Sequence, residues 1–524
     1  MENTLNNRSI TAGNLTFAVA ELMRCVQLRN ENRLHEALAQ IDKALSAIPH
    51  FLPGLVEKAS ILAALFRFEE SLSTCRTLLA YAPTPEHKKL RDQLFVRAQE
   101  HYSHSRPEDR SAEENLLRLG NIHLLAGRYA AAIDRYQEFL RTRPQHHDAL
   151  QNLAYALSAL NRNPEAKKCY EQLLEQDTHD ADNYYNYGNV LKAQNHLDSA
   201  VSAYQRATWL KPDFAEAQLE LAHCLLAAGH FSAGWRQFEW RWRTPQLKEH
   251  YLASSAPAWL GESDLDGKTI LLWAEQGFGD TLQFIRFAPC LADLARSVLV
   301  RIPAPLSTLL QPMDARLEFI DDREPLPQHD AHCPLMSLPL ALGIAAPQWF
   351  HEPAYLTSDG PLGDKWSAWL GPRIGKQKRI GIVWAGRRYG RPNPTRDIPI
   401  DQLKPLWDTA AEFICLHRDI APGDANALRQ QPNLRFPGLL LTDFAETAAL
   451  IDQLDLVISV DSAVAHLAGA LGKPCWLLLR QSGEWRWQLN RDDSPWYPSL
   501  RLYRQRNAGQ WNEVVRRVVE DIGR

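Results

Sequence analysis

The sequence lacks most of the features that would point at once to a chemistry. Its eight cysteines are scattered, with no CxxC pair, which argues against structural zinc or a disulfide framework and fits a reducing cytosol. No apolar run is long enough to span a bilayer. The opening stretch, MENTLNNRSITAGN, has no basic segment followed by an apolar core, so no signal peptide and a cytoplasmic location are expected. There is no GxxxxGK(S/T) and no GxSxG, which disfavours P-loop hydrolysis and the hydrolase nucleophile elbow. The loop Gly277-Phe278-Gly279-Asp280 lacks a third glycine, Leu282 standing in that place, which disfavours a dinucleotide dehydrogenase. Excess positive charge is missing too: the net charge is −4, so nothing general favours nucleic acid or an anionic membrane surface.

What is present begins with a repeat. The chain has 524 residues, enough for two to four domains. In its N-terminal half small residues recur every 34 positions, at Ala132, Ala166, Ala200 and Gly234. Aromatic residues follow four later at Tyr136, Tyr170, Tyr204 and Phe238, and prolines fall in register at Pro144 and Pro212. Ala37 and Ser71 occupy the same slot upstream, with Pro49 and Pro83 closing their units. The period and residues, with Leu119-Gly120 and Tyr187-Gly188, resemble tetratricopeptide repeats. Repeats are expected at 18–51, 52–85, 113–146, 147–180, 181–214 and 215–248, an α-helical solenoid over 18–248. Its register fails over 86–112, which reads as a loop or a degenerate unit. Trp235, Phe238 and Trp242 form one helical stripe at the end of the array, favoured as a docking surface for the next domain over a ligand site.

The C-terminal half alternates strands and helices. Thr269–Ala274 reads as a buried strand, Gln276–Asp280 as a tight loop, 281–294 as a helix and Ser297–Ile302 as the next strand. A polar linker is expected over 360–378. Arg379–Trp384 then starts a second series, with a strand at 413–416 and a helix at 444–453. Leu456–Leu479 is a β-α-β unit: the buried strand Leu456–Val460, the capping pair Asp461-Ser462, a helix over 463–471 and a second strand over 475–479. Such a helix start offers free N–H groups to a diphosphate, although Asp461 that only caps and His466 that only packs would satisfy the same local pattern. Two α/β units in succession suggest two Rossmann-like domains facing a cleft, at 265–360 and 376–505, with a final helix over 506–524. A loop carboxylate facing an anion-binding helix suits transfer of a sugar from a nucleotide donor.

Two stretches carry a resemblance: Gly279-Asp280 after the first strand, and Asp461–Pro474. They look like the signature motifs of the heptosyltransferases, glycosyltransferase family 9, and the likeness covers 265–505. It implies a metal-independent GT-B fold, no cofactor, and a nucleotide sugar as substrate. With the repeats in front, the layout also resembles the protein O-GlcNAc transferases. It is closer still to bacterial repeat proteins with a family-9-like tail, through Glu275–Asp280 and Asp493–Pro498. The resemblance implies that Asp280 is the catalytic base and that Arg396 reaches the donor phosphates, a task Arg387, Arg388 or Arg391 could share. Arginine offers a fork where heptosyltransferases carry lysine. Ser462, Ala463 and His466 match the diphosphate-binding segment, with Asp461 at its mouth and Gly277 and Gly279 facing the donor. His417 follows the strand that supplies nucleoside contacts. Glu484-Trp485-Arg486-Trp487 departs from the family; its aromatics could stack on a ligand or simply pack. No DxD stands at a strand end in this half, Asp321-Asp322 and Asp492-Asp493 being adjacent pairs in expected loops, so no metal site is expected. In the array, Asn152, Asn186 and Asn189 are candidates to hold an extended acceptor by its backbone amides, or else are ordinary solvated positions. The expected acceptor is a protein recruited by the arm, with a lipopolysaccharide or other glycan, or a non-catalytic scaffold, as alternatives; a homo-oligomer is left open.

Overall fold

The computed structural model describes residues 12–103, 112–345, 354–373, 375–386, 395–429, 431–482 and 484–523. The chain divides into two compact units, Met1–Leu191 and Lys192–Arg524.

The first unit is a run of helix pairs: Ala12–Asn30 with Leu34–Ala47, Leu52–Ala64 with Phe68–Tyr81, Ala112–Leu125 with Tyr129–Leu140, and His147–Ala159 with Asn163–Gln176. The small residues of the 34-residue slot, Ala37, Ser71, Ala132 and Ala166, are fully buried, because each lets two helices approach. The aromatic slot fills the gap beside them. A Cβ on Gly120 would lie 2.6 Å from the Tyr136 ring, so only glycine fits there. The stretch read as a loop or degenerate unit begins as a helix, Pro85–Ser103, a single helix between two pairs. Leu90, Leu94, Ala98 and Tyr102 stand four apart along it, and the last three are buried. That stripe suffices for a helix; the intervening charges hid it.

The second unit contains Leu197–Leu210, Ala215–Ala227 and Phe231–Phe238, followed by two parallel sheets. The first sheet has strands β1 (Thr269–Trp273), β2 (Ser297–Ile302), β3 (Leu317–Asp321) and β4 (Ala331–Pro334) in the order β3-β2-β1-β4. The second has β5 (Arg379–Val383), β6 (Glu412–Cys415), β7 (Leu434–Arg435), β8 (Leu456–Val460), β9 (Cys475–Leu479) and β10 (Leu500–Arg504) in the order β10-β9-β8-β5-β6-β7. All the pairings are parallel. The central strands are continuous apolar runs, as burial on both faces requires. A helical repeat array followed by two such sheets is the α-solenoid plus α/β GT-B arrangement.

Three local expectations need correction. The helix expected over 281–294 is an α-helix at Phe278–Phe284 that tightens into a 3₁₀ stretch, Ile285–Asp293, containing Pro289; proline cannot donate to an α-helical ladder. The linker expected over 360–378 contains a helix, Gly360–Leu370, with Asp359 as N-cap and Gly371 at φ 65° just beyond its end. Its buried Trp366 donates to Glu446 at 2.7 Å, which fixes it to the helix Phe444–Asp452. The final helix is Trp511–Ile522.

The last two repeat helices of the second unit share one core with both sheets. Ala222, Leu226, Phe231, Trp235 and Phe238 belong to the same cluster as Ile270 of β1 and Val457 of β8. The aromatic stripe therefore docks, as favoured from the sequence. Trp235 makes edge contacts with Phe284, Trp485 and Trp496, and Trp242 packs on Trp273 and Tyr251. A buried aromatic removes roughly 150–250 Å² from water, so at about 25 cal/mol per Å² each contributes about 4–6 kcal/mol before entropy. The array's last helices are thus built into the α/β core, which is why the compact division falls ahead of them.

Candidate functional site

The site lies where the helix after β1 meets the helix after β8. β1 delivers Glu275, and the loop Gln276–Gly277 turns into Phe278–Phe284, which carries Asp280. One Asp280 oxygen accepts the Gly277 N–H at 2.8 Å, so the carboxylate caps its own helix. The other accepts from Arg486 Nη2 at 2.5 Å. Opposite stands Ala463–Ala470, preceded by Ser462. The Ser462 side chain does not cap this helix and instead meets Ser459 Oγ at 2.9 Å.

Gly279 and His466 join the two helices. A Cβ on Gly279 would lie 2.8 Å from His466 Cδ2 and 3.5 Å from Ala463 Cα. No side chain larger than hydrogen fits without displacing the imidazole. His466 is buried, and its Nδ1 lies 2.9 Å from the Tyr497 hydroxyl. Burial, reinforced by Arg486 and Arg286, holds its pKa well below the usual histidine range, so the ring is neutral at physiological pH. Tyr497 reaches it because Gly469 leaves room: a Cβ there would lie 2.4 Å from the Tyr497 ring.

A charge cluster surrounds this contact. Arg486 links Asp280 and Glu484 and donates to Gln283 at 2.6 Å. Its backbone carbonyl accepts from Trp496 Nε1 at 2.8 Å, and the Trp496 and Tyr497 N–H groups donate to Ser494 Oγ, so the Asp493–Pro498 stretch braces the arginine turn. Burial pushes the Glu484 carboxyl up to about 7 against the pull of Arg486, with Asp461 and Asp280 adding to the rise. Burial likewise raises Asp461; Arg486, the Trp487 indole, Arg396 and Arg480 work against it. Arg504, at the end of β10, is lowered to about 10 by burial, with Asp461 opposing. It donates to the carbonyls of Trp487 and Gln488, while its Nε and Nη1, and the Nε2 of buried Gln283, find no acceptor among the described residues.

The structure brings together Asp280, Gly279, Asp461, Ala463 and His466. Arg396 joins them: its guanidinium covers Gly386 beyond β5, where a Cβ would overlap it, and its charge bears on Asp461. His417 stands farther along the sheet edge. Its Nε2 accepts the Trp384 N–H at 3.2 Å, and its ring lies 4.2 Å from that indole. Arg387, Arg388 and Arg391 lie outside the described residues. Asn152 donates to Asn121 at 3.3 Å, and Asn121 also accepts the Tyr136 hydroxyl; Asn186 and Asn189 are half-buried. Asn183, in the same three-residue series, is fully buried and bonded to Asp180 and Gln151, so it holds repeats together. Among the described residues no group of three His, Cys, Asp or Glu side chains stands ready to hold a metal ion.

Sequence reasoning missed Arg486 as the partner of Asp280 and Glu484 as its rival for that guanidinium. Trp485 and Trp487 are packing residues, both buried, and they enclose the charges between them. The usable signal was that alternation: charges interleaved with large aromatics have no solvent to face.

Comparison with known proteins agrees with this layout. Residues 123–187 and 185–233 match tetratricopeptide repeats, and residues 430–517 match glycosyltransferase family 9 (heptosyltransferase). Protein FlbA of Caulobacter vibrioides is 22% identical over 443 residues, 73% of this chain and 74% of that protein. The crystal structure of MamA is 23% identical and covers 32% of this chain and 98% of its own, with a TM-score of 0.28. YrrB, described as a TPR protein with an unusual peptide-binding site, is 17% identical and covers 38% of this chain and 89% of its own, with a TM-score of 0.22. Scores this low carry no argument about the site. The chain thus joins a stretch that matches tetratricopeptide repeats to a C-terminal stretch, residues 430–517, that matches glycosyltransferase family 9.

Proposed function

We propose that this protein moves a sugar from a nucleotide-sugar donor to a protein acceptor recruited by the repeat arm, without a metal ion. The observation that carries the reading is the meeting of one loop carboxylate, Asp280, with an anion seat. That seat consists of the start of helix Ala463–Ala470, Arg486, and the Nε and Nη1 of Arg504, which find no acceptor among the described residues. Buried donors without acceptors call for an explanation, and a diphosphate at a helix start supplies one. Arg396 and Arg480 bring further positive charge to Asp461 at the seat's mouth.

In this reading Asp280 takes the proton of the acceptor hydroxyl as its oxygen bonds to the anomeric carbon. The bond from that carbon to the diphosphate breaks, and the helix start and arginines stabilise the departing charge. Neutral His466 keeps a proton on one ring nitrogen and cannot neutralise the diphosphate, so that task falls to the arginines. Donor diphosphate competes with Asp280 for Arg486, and its arrival frees the base.

The test is a thermal-shift screen of the full chain against nucleoside diphosphates and nucleotide sugars, followed by donor hydrolysis with and without EDTA. A ligand that binds only the folded state raises Tm. Donor hydrolysis that vanishes with EDTA and returns with Mg²⁺ would overturn metal independence. Glycan mass on co-purified proteins supports a protein acceptor; its absence, with glycan-directed transfer, overturns it. A second reading rests on the Asp280–Arg486 pair itself: a base already bonded to a cation fits a non-catalytic scaffold. Full-chain preparations that bind a nucleoside diphosphate yet hydrolyse no donor would favour it.

A further inference from the structure

The stretch joining the array to the first sheet carries one charge the site does not use. Arg241 is wholly buried. Its Nε and Nη2 hold the two oxygens of Glu275 at 2.8 and 2.9 Å, and its Nη1 meets Glu239 at 2.7 Å. Nη2 also reaches Ser337 Oγ at 2.7 Å, which in turn donates to Glu239. Glu275 lies two residues past the end of β1, just before the glycine loop, and it accepts the Met336 N–H at 3.2 Å as well. A buried ion pair is an expensive way to fill space, often matched or bettered in stability by apolar residues of similar size. Its distinctive property is geometric: a forked pair fixes direction as well as distance.

From this geometry we infer that Arg241 and Glu275 are positioning residues, a bolt by which the end of the repeat array sets the glycine loop and so the place of Asp280. Four residues separate Glu275 from Asp280, and the loop between them is tied by the Gly277–Asp280 bond. Trp235, a few residues before Arg241, packs on Phe284 of the Asp280 helix and on Trp485 beside Arg486. One short segment of the array thus braces both partners of the Asp280–Arg486 pair.

The catalytic part of this inference rests on the proposed transferase reading; the positioning part does not. The test replaces both ends of the bolt in the full chain, Arg241→Met with Glu275→Met. It measures Tm, amide hydrogen exchange across residues 275–281 and across β1 to β4, and donor hydrolysis. Arg241→Lys, which keeps the charge and loses the fork, is measured alongside and should show the same pattern more weakly. The expected result is a Tm close to that of the unaltered chain and faster exchange confined to the loop. Turnover should fall by about 10²-fold, the scale of a small misplacement, with donor KM unchanged. Loop exchange and turnover at the unaltered values would overturn the inference, as would faster exchange spread evenly through the first sheet. Faster loop exchange in a chain that hydrolyses no donor even when unaltered would leave the bolt standing and sink the transferase reading.

Discussion

At the scale of single residues, the site is a competition among carboxylates for one guanidinium. Asp280→Asn keeps an oxygen for the Gly277 N–H and removes the base. Turnover should fall by roughly 10²–10⁴-fold, the usual worth of a general base, with nucleotide affinity by calorimetry kept or raised, since the diphosphate loses its charged competitor for Arg486; unchanged turnover would remove Asp280 from the mechanism. Glu484 supplies a pH signature. Its carboxyl is raised to about 7 in the folded chain by burial, whereas in an unfolded chain it titrates near 4.3. The fold therefore favours the protonated form. The stability that follows is fully present below the unfolded value and is lost as pH rises through about 7. Glu484→Gln should flatten the decline of Tm over that window, and a decline as steep as before would assign it to other groups. Asp280 and the arginine opposite were not equally legible. The aspartate stands in a recognisable glycine loop, whereas Arg486 becomes meaningful only when the chain brings together residues some two hundred positions apart.

At the scale of elements, two glycines of one loop should behave differently. A methyl on Gly279 would press on His466, which Tyr497 holds in place, whereas on Gly277 the nearest atom is an oxygen of Asp280 at 3.1 Å. Gly279→Ala should cost about 1–3 kcal/mol in denaturant unfolding, as overpacked sites do, and should strongly lower turnover. Gly277→Ala should be milder in both. Equal effects would mean that the approach of the two helices is not what Gly279 secures. The inner strands of both sheets, β1, β2, β5, β6, β8 and β9, were readable because parallel strands buried on both faces are unbroken apolar runs; the edge strands β3, β4, β7 and β10 were not read. The helix Gly360–Leu370 was not, although its start and stop signals, Asp359 and Gly371, were in plain view; polar composition outweighed capping logic. The helix Pro85–Ser103 was hidden in the same way, its stripe diluted by Lys88, Lys89, Arg91 and Arg97. Composition describes how wet a segment is, and an amphipathic helix is wet on most of its circumference.

At the scale of the whole molecule, the repeat period and the two motif stretches were legible in the sequence, since 34-residue spacing survives wide divergence at other positions. What spacing could not reveal is where the array stops being separate. On the proposed function, replacing Asn152, Asn186 and Asn189 by alanine should weaken transfer to a protein acceptor and leave donor hydrolysis untouched, once unaltered melting has been checked. A parallel fall in both activities would make these asparagines structural, a role the Asn152–Asn121 bond already hints at. The compact division after Leu191 bears on inheritance as well. On the proposed function, repeats added or exchanged ahead of that division would alter acceptor choice without rebuilding the second unit. The segment from Leu197 to Trp242 must suit both its own repeat and the α/β core, and a recombinant gene joined inside it would bring together two halves that never evolved in each other's company. The natural seam for grafting a foreign arm lies upstream of that segment, one and a half repeats earlier than the 34-residue rhythm would suggest.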